Sequence, residues 1–314
     1  GIYSTSKLTP SVSVMSKIIK KEGTKIYLDY NLPKDRWNFD HLNKSDFTTC
    51  FIQKVDVKQN ITINGFNGKD VLNDIILAQS DYQTKCFCGI SIFCGDNIII
   101  NGAKLENGIF STIHSEYAHS CEYNNIENLK TRKYGGGEGY VIQNISSNNV
   151  RGNNIIGNGS RHTLDFTSGG YCHYKNIRSY DNKSNEIQFH GNYEHDIIIE
   201  NWNGTNTNSE SYYNRASYNF GSGEDFGNAV TNITFINSIF TSHNTRYNRF
   251  SKSITFKDCN VIYLNPLLQL TVENCTLNIP STEWVDKASK RGYNIDNTLI
   301  LSNSIFIVYD WLQI

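Results

Sequence analysis

Short β-branched runs that stop at Asn or Asp recur along most of this chain. Asn97–Leu105, Asp196–Trp202, Asn232–Phe240, Ser253–Val261, Leu270–Leu277 and Thr298–Phe306 share one pattern. Each is a short β-branched run, then Asn or Asp, then another apolar residue one to four places on. Weaker copies lie at Ile61–Phe66, Tyr123–Leu129, Ile145–Val150 and Tyr174–Ile177. With the turn residue as anchor, Asn101, Asn128, Asn149, Asn176, Asn201, Asn237, Asp258, Asn274 and Asn303 recur every 16 to 29 residues, apart from one longer insertion. Such a period matches one coil of a parallel β-helix. Asn accepts the left-handed backbone that each corner requires, and its amide can stack between coils. Leucine-rich repeats would need many Leu and a helix per unit, and propeller blades about twice the period.

A second strand family alternates with the first: Gly89–Cys94, Gly108–His114, Gly139–Gln143, Arg161–Phe166, Glu186–His190 and Arg215–Phe220. The pattern therefore predicts an all-β chain, a single-stranded right-handed parallel β-helix, with at least two strands per coil. A solenoid has open ends that need caps. Ser11–Glu22, amphipathic and followed by Gly23, reads as a short N-terminal capping helix leading into a strand at Lys25–Asp29. Residues 1–60 are expected to form the cap and first strands, and residues 61–314 the β-helix. A long loop insertion is expected near 203–230, where Asn, Ser, Tyr and Gly dominate.

Composition narrows the function. The 314 residues carry 29 basic and 30 acidic side chains, a formal net charge of −1. A nucleic-acid binder would show a basic surplus or stripe. Asn is abundant, at about 40 residues, and Pro is scarce at 4, as suits frequent turns between short strands. No apolar run approaches the ~20 residues of a membrane span, so membrane insertion is not expected. Eight Cys are too sparse for a disulfide scaffold. Cys86, Cys88 and Cys94 have a C-x-C-x5-C spacing that invites a metal reading, but Cys88 and Cys94 flank an apolar strand, and Cys259 and Cys275 occupy equivalent places in two repeats. Both sets read as core thiols without disulfides or structural zinc.

Strand alternation selects the candidate chemistry. With Leu164 and Phe166 inward, Arg161, Thr163 and Asp165 face outward; with Ile187 and Phe189 inward, so do Glu186, Gln188 and His190. Stacking the two strands places Arg161 over Glu186, Thr163 over Gln188 and Asp165 over His190. The row extends to Thr112 and His114 on one side and to Arg215, Ser217 and Asn219 on the other. An Arg, a His and two carboxylates converging in this way suit acid–base chemistry on a glycoside or phosphodiester, although an outward Arg161–Glu186 pair is also an ordinary surface ion pair. Gly135–Gly139 adds a flexible loop presenting Glu138. It lacks the Lys-Ser/Thr of a phosphate-binding P-loop. Gly191–Asp196 adds a turn with Tyr193, Glu194 and His195.

Ser160–Phe166 and His190–Asp196 resemble the paired motifs of pectate-lyase-like β-helices in phage tail spikes and preneck appendages, especially of phages infecting Gram-positive hosts. The likeness spans roughly residues 60–310, with the central third specific. Arg161, His162, Asp165, His190 and Glu194 match by position, and His195 more loosely. The resemblance implies a homotrimer on a virion tail, outside the cell, that binds and often degrades a surface polymer such as teichoic acid or capsule. On this reading Asp165 and Glu194 serve as acid and base, His162 and His190 transfer or orient protons, and Arg161 recognises phosphate or carboxylate. Glu138, Glu186, Gln188, Tyr193, His195 and Arg215 contribute to binding. No cofactor is expected, with a divalent cation such as Ca²⁺ left open. Two alternatives stand beside hydrolysis. One is a non-catalytic receptor-binding spike whose Tyr140, Tyr171, Tyr193, Tyr212 and Tyr213 hold sugar. The other is a polysaccharide lyase, which would need an acidic Ca²⁺ cluster; no dense one stands out.

Overall fold

A computed structural model describes residues 15–30, 55–69, 88–131, 138–190, 194–205, 218–219, 230–240, 252–261, 268–280 and 299–309. Apart from one N-terminal hairpin, its strands pair in parallel, each with the equivalent strand of the next coil. The chain is a parallel β-solenoid, all-β throughout the described residues.

One face stacks the first halves of Gly95–Gly108, Glu122–Thr131, Arg151–Asn158 and Glu194–Thr205, together with the second half of His162–Tyr180. These strands continue around a bend into a second face. The third face stacks Ile90–Phe93, Ser111–Glu116, Tyr140–Asn148, the first half of His162–Tyr180, Ile187–Phe189 and Tyr218–Asn219.

Left-handed residues stack at the bends. Asn60, Asn97, Ser120, Asn149, Tyr171, Asp196, Asn232 and Ser253 form one vertical row, with φ from 50° to 58°. Asn125, Asn154, Asn176, Asn201, Asn237, Asp258, Asn274 and Asn303 form another, with φ from 46° to 59°. Short polar side chains pay least for this conformation among residues with a Cβ, which explains why Asn holds most of these corners. Three of the expected anchors fall elsewhere: Asn149 lies in the first row; Asn101 stands one place before Gly102, which holds its corner with φ +87°; and Asn128 points inward, donating to Thr112 Oγ1 at 3.1 Å.

The core is a set of vertical apolar stacks. Ile98, Cys121, Val150, Cys172, Ile197, Ile233 and Ile254 are all buried and occupy register-equivalent positions. Phe166 lies flat on Phe189 at 5.1 Å and Phe235 on Phe256 at 5.0 Å. Cys259 and Cys275 are free buried thiols in adjacent coils; the Cys259 backbone N–H donates to Cys275 Sγ at 3.3 Å. Cys86 lies outside the described residues.

Gly169 tightens the stack next to the candidate site. Its φ is +95°, and a Cβ there would stand 2.1 Å from the Ser147 carbonyl oxygen. Gly169→Ala is expected to cost roughly 2–3 kcal/mol in denaturant unfolding; an unchanged midpoint would show that the two coils can separate freely.

The capping helix is not formed. Within Ser11–Glu22 the described part contains β1 (Ile18–Glu22), paired antiparallel with β2 (Lys25–Leu28) through a turn at Gly23 and Thr24. Gly23 has φ +57°, so it serves a tight hairpin turn rather than a helix stop. Ile18 and Ile19, expected on an apolar helical stripe, are 51% and 62% exposed. The hairpin is anchored to the solenoid at its base. Met15 N–H donates to the Ser146 carbonyl, Asn148 Nδ2 donates to the Met15 carbonyl, and the Asp29 carboxylate meets His119 Nε2. The expected loop insertion near 203–230 falls largely outside the described residues.

Candidate functional site

The third face carries the candidate site, one pleat out of the expected register. Leu164 pairs with Ile187, Asp165 with Gln188 and Phe166 with Phe189. Register and alternation have the same parity, so the outward and inward assignments of Asp165, Leu164 and Phe166 survive the shift. This register aligns both apolar pairs; the expected one would have set Phe166 against Gly191 and Ile187 against His162. Asp165 therefore lies in a row with His114, Gln143 and Gln188, while His190, at the end of its strand, reaches back to it.

A continuous polar chain crosses the coils. His190 Nε2 meets Asp165 Oδ1 at 3.0 Å. Gln143 Nε2 donates to Asp165 Oδ2 at 3.1 Å. Since the Gln143 amide nitrogen faces the carboxylate, its Oε1 must accept, and His114 Nδ1–H donates to it at 2.9 Å. His114 Nε2 lies 3.5 Å from Glu116 Oε2. At the other end, Glu194 Oε1 accepts from the backbone N–H of His190 at 3.1 Å and of Ser168 at 3.3 Å.

Burial divides these groups by role. Asp165 and Glu194 are wholly buried, whereas the His190 side chain is 37% exposed. The histidine is the member of the cluster that reaches solvent, and the carboxylates stand behind it. Burial acts to raise the Asp165 carboxyl, but the His190 charge and hydrogen bond, with His162 and Gln143, hold it below its ordinary value. Burial acts to lower the His190 imidazole, but Asp165 and then Glu194 outweigh it, leaving it above 6.5. Glu194 is raised, chiefly by burial. The two carboxyls are thus pushed apart: Asp165 is the ionised partner and Glu194 the one more readily protonated. An ionised Asp165 accepts the His190 Nε2–H, which leaves Nδ1 as the basic nitrogen of the neutral ring.

His162 departs from its expected part in proton transfer. It is buried and lies flat on Tyr140, with ring centroids 5.5 Å apart. Its Nδ1 faces the Asn185 carbonyl at 2.5 Å, so that nitrogen carries the proton, and Nε2 meets no hydrogen-bond partner among the described residues. Burial, ahead of the opposing Asp165 charge, pushes the ring down to about 4. A group buried neutral costs stability once the unfolded chain begins to bind its proton. Its contribution is therefore full above pH 6.5 and falls away as pH drops from 6.5 toward 4. Up to ~3 kcal/mol should be lost across that window, and His162→Gln should flatten the slope in unfolding experiments at pH 4 to 7. An identical slope would contradict the burial.

The remaining expected residues scatter. Arg161 is half-buried; its Nη1 donates to Tyr140 Oη at 3.1 Å and its guanidinium stands 5.7 Å from that ring. Its charge acts on both His162 and His190. Gln188 donates to the Phe189 carbonyl and accepts from Asn185 Nδ2. Glu186, expected outward beneath Arg161, is wholly buried and points inward, its Oε2 2.2 Å from where a Gly204 Cβ would stand. Thr163 also turns inward, to Ser179 Oγ at 2.8 Å. The N–H groups of Thr163 and Leu164 both reach the Glu186 carbonyl, an irregularity that breaks the alternation there. Glu138 is buried rather than presented on a loop. His195 stands just before the first corner row, in register with Gly170 and next to the left-handed Asp196, which it contacts at 2.6 Å. Tyr193 and Arg215 lie outside the described residues.

Gln143 was not singled out from the sequence. The available signal was its place at the outward position of the Gly139–Gln143 strand, in the same alternation as Asp165. Among the described residues no group of three or more His, Cys, Asp or Glu side chains is arranged to hold a metal ion.

No protein-family model matches the chain, and no curated protein sequence matches it either. Solved structures with a similar chain path include the catalytic domain of a GH87 alpha-1,3-glucanase. A single-residue variant in complex with tetrasaccharides is 12% identical, with a TM-score of 0.43 over 79% of this chain and 49% of that one. The same domain with nigerose is 10% identical, with a TM-score of 0.39 over the same shares. The chain thus spans about half the length of the solved structures it matches.

Proposed function

We propose that this chain is a hydrolase of an anionic cell-surface polymer, a teichoic acid or capsular polysaccharide, working as a domain of a phage tail spike or appendage. One observation carries the reading: a solvent-reaching His190 held by a buried, ionised Asp165. This is the arrangement of a general base with its orienting partner. In the reaction, His190 Nδ1 takes a proton from the attacking water, and Asp165 stabilises the imidazolium that forms. The same proton then passes to the leaving oxygen. Arg161, charged and half-buried nearby, supplies the cation that an anionic backbone requires. Glu194, buried behind the histidine, fixes the His190 backbone by accepting its N–H.

The two carboxyls of a glycosidase must themselves reach the scissile bond, and both are buried here. A phosphodiester, cleaved by a histidine base beside an arginine, suits the exposed groups better than a neutral glycoside. The test is incubation with purified teichoic acid and, separately, with capsular polysaccharide, followed by separation of soluble fragments. Fragments ending in a phosphomonoester support the proposal. Binding without product would favour a receptor-binding spike, and an unsaturated sugar product would favour a lyase.

A further inference from the structure

We propose a second polymer-binding site, specific for neutral hydroxyl-rich glycan, in an open groove of about 550 Å³ along the second left-handed corner row. This corner joins the first and second faces, away from the strand row that carries Asp165. The inference does not depend on the hydrolytic reading.

The floor of the groove is an amide ladder with one defect. Asn201 Nδ2 donates to Asn176 Oδ1 at 2.9 Å and Asn237 Nδ2 to Asn201 Oδ1 at 2.7 Å. Farther along, Asn274 Nδ2 donates to Asp258 Oδ1 at 3.1 Å. Between these runs the ladder cannot close, because Asp258 stands where the pattern calls for an amide. A carboxylate has no N–H to offer Asn237 Oδ1. Two acceptors, Asn237 Oδ1 and Asp258 Oδ2, therefore face one another across a coil step of ~4.8 Å. Neither has a hydrogen-bond donor among the described residues. On either side, each ladder amide uses one N–H for its neighbour and keeps the second for a ligand.

The groove thus offers a pair of acceptors flanked by donors repeating once per coil. Ile239, 45% exposed, adds an apolar wall. Adjacent sugar hydroxyls can donate to the acceptor pair and accept from the flanking amides, while a C–H face of the ring rests on Ile239. A bare cation fits less well: Ca²⁺ takes six to eight oxygens, and the step provides two beside N–H groups that repel it.

Asp258→Asn separates this binding role from a structural one. The new amide can complete the ladder, so the unfolding midpoint should hold or rise, while the acceptor pair is lost. Calorimetric titrations would use maltohexaose, isomaltohexaose and chitohexaose with Asp165→Asn protein, so that cleavage does not enter. At least one probe should bind, about tenfold more weakly when Asp258→Asn is added. Binding unaffected by Asp258→Asn, no binding of any probe at millimolar concentration, or an Asp258-dependent heat from CaCl₂ instead would each overturn the proposal.

Discussion

Asp165→Asn should reduce polymer cleavage by about 10²–10⁴-fold while the protein stays folded. The substitution keeps the shape of the side chain, and an amide oxygen can still accept from His190 Nε2 or Gln143 Nε2. What disappears is the buried negative charge that keeps the imidazole basic and stabilises its protonated form. Fragment release at saturating polymer, with the unfolding midpoint as a control, gives the comparison. Wild-type cleavage should also rise with pH through a midpoint above 6.5, because His190 acts as a base only after losing its proton and Asp165 delays that loss. Full activity in the variant would remove Asp165 from the mechanism.

Phe166→Ala should cost about 3–5 kcal/mol. The ring is wholly buried, flat on Phe189 at 5.1 Å and edge-on to Tyr174 at 5.6 Å. It therefore ties the coil bearing Asp165 to the one bearing His190, while its own backbone neighbours Asp165. Loss of the ring leaves a cavity between the coils whose spacing sets the 3.0 Å Asp165–His190 contact. Activity should fall with stability, and Phe166→Leu should recover most of both. A loss below about 1 kcal/mol would mean that the aromatic stack contributes little to the packing.

The solenoid was legible because its two periodicities are both written in side-chain type. Alternation identifies strands, and Asn or Asp marks the left-handed bends at Asn176, Asn201, Asn237, Asp258 and Asn274. Register was harder to read. Alternation fixes which way Asp165 points, yet a two-residue slip changes no residue's face, and the choice fell to the pairing of Leu164 with Ile187 and Phe166 with Phe189. His190 still meets Asp165 because a histidine at a strand end can lean back along the row. Glu186 and Thr163 were misplaced for another reason: the shared bonds to the Glu186 carbonyl interrupt the alternation, and an inward polar side chain carries no mark in the sequence. The expected helix at Ser11–Glu22 rested on apolar spacing, but Gly23 and Thr24 allow a tight turn that lets Ile18–Glu22 pair with Lys25–Leu28.

Stacking of distant segments gives one partly exposed imidazole a buried anionic partner, and the mechanism depends on that pairing. An NMR titration of His190 in wild type and Asp165→Asn reads that directly. The wild-type ring should titrate above 6.5, and the variant ring lower, because burial disfavours its charge once the carboxylate is gone. An identical midpoint in both proteins would show that the two side chains do not meet.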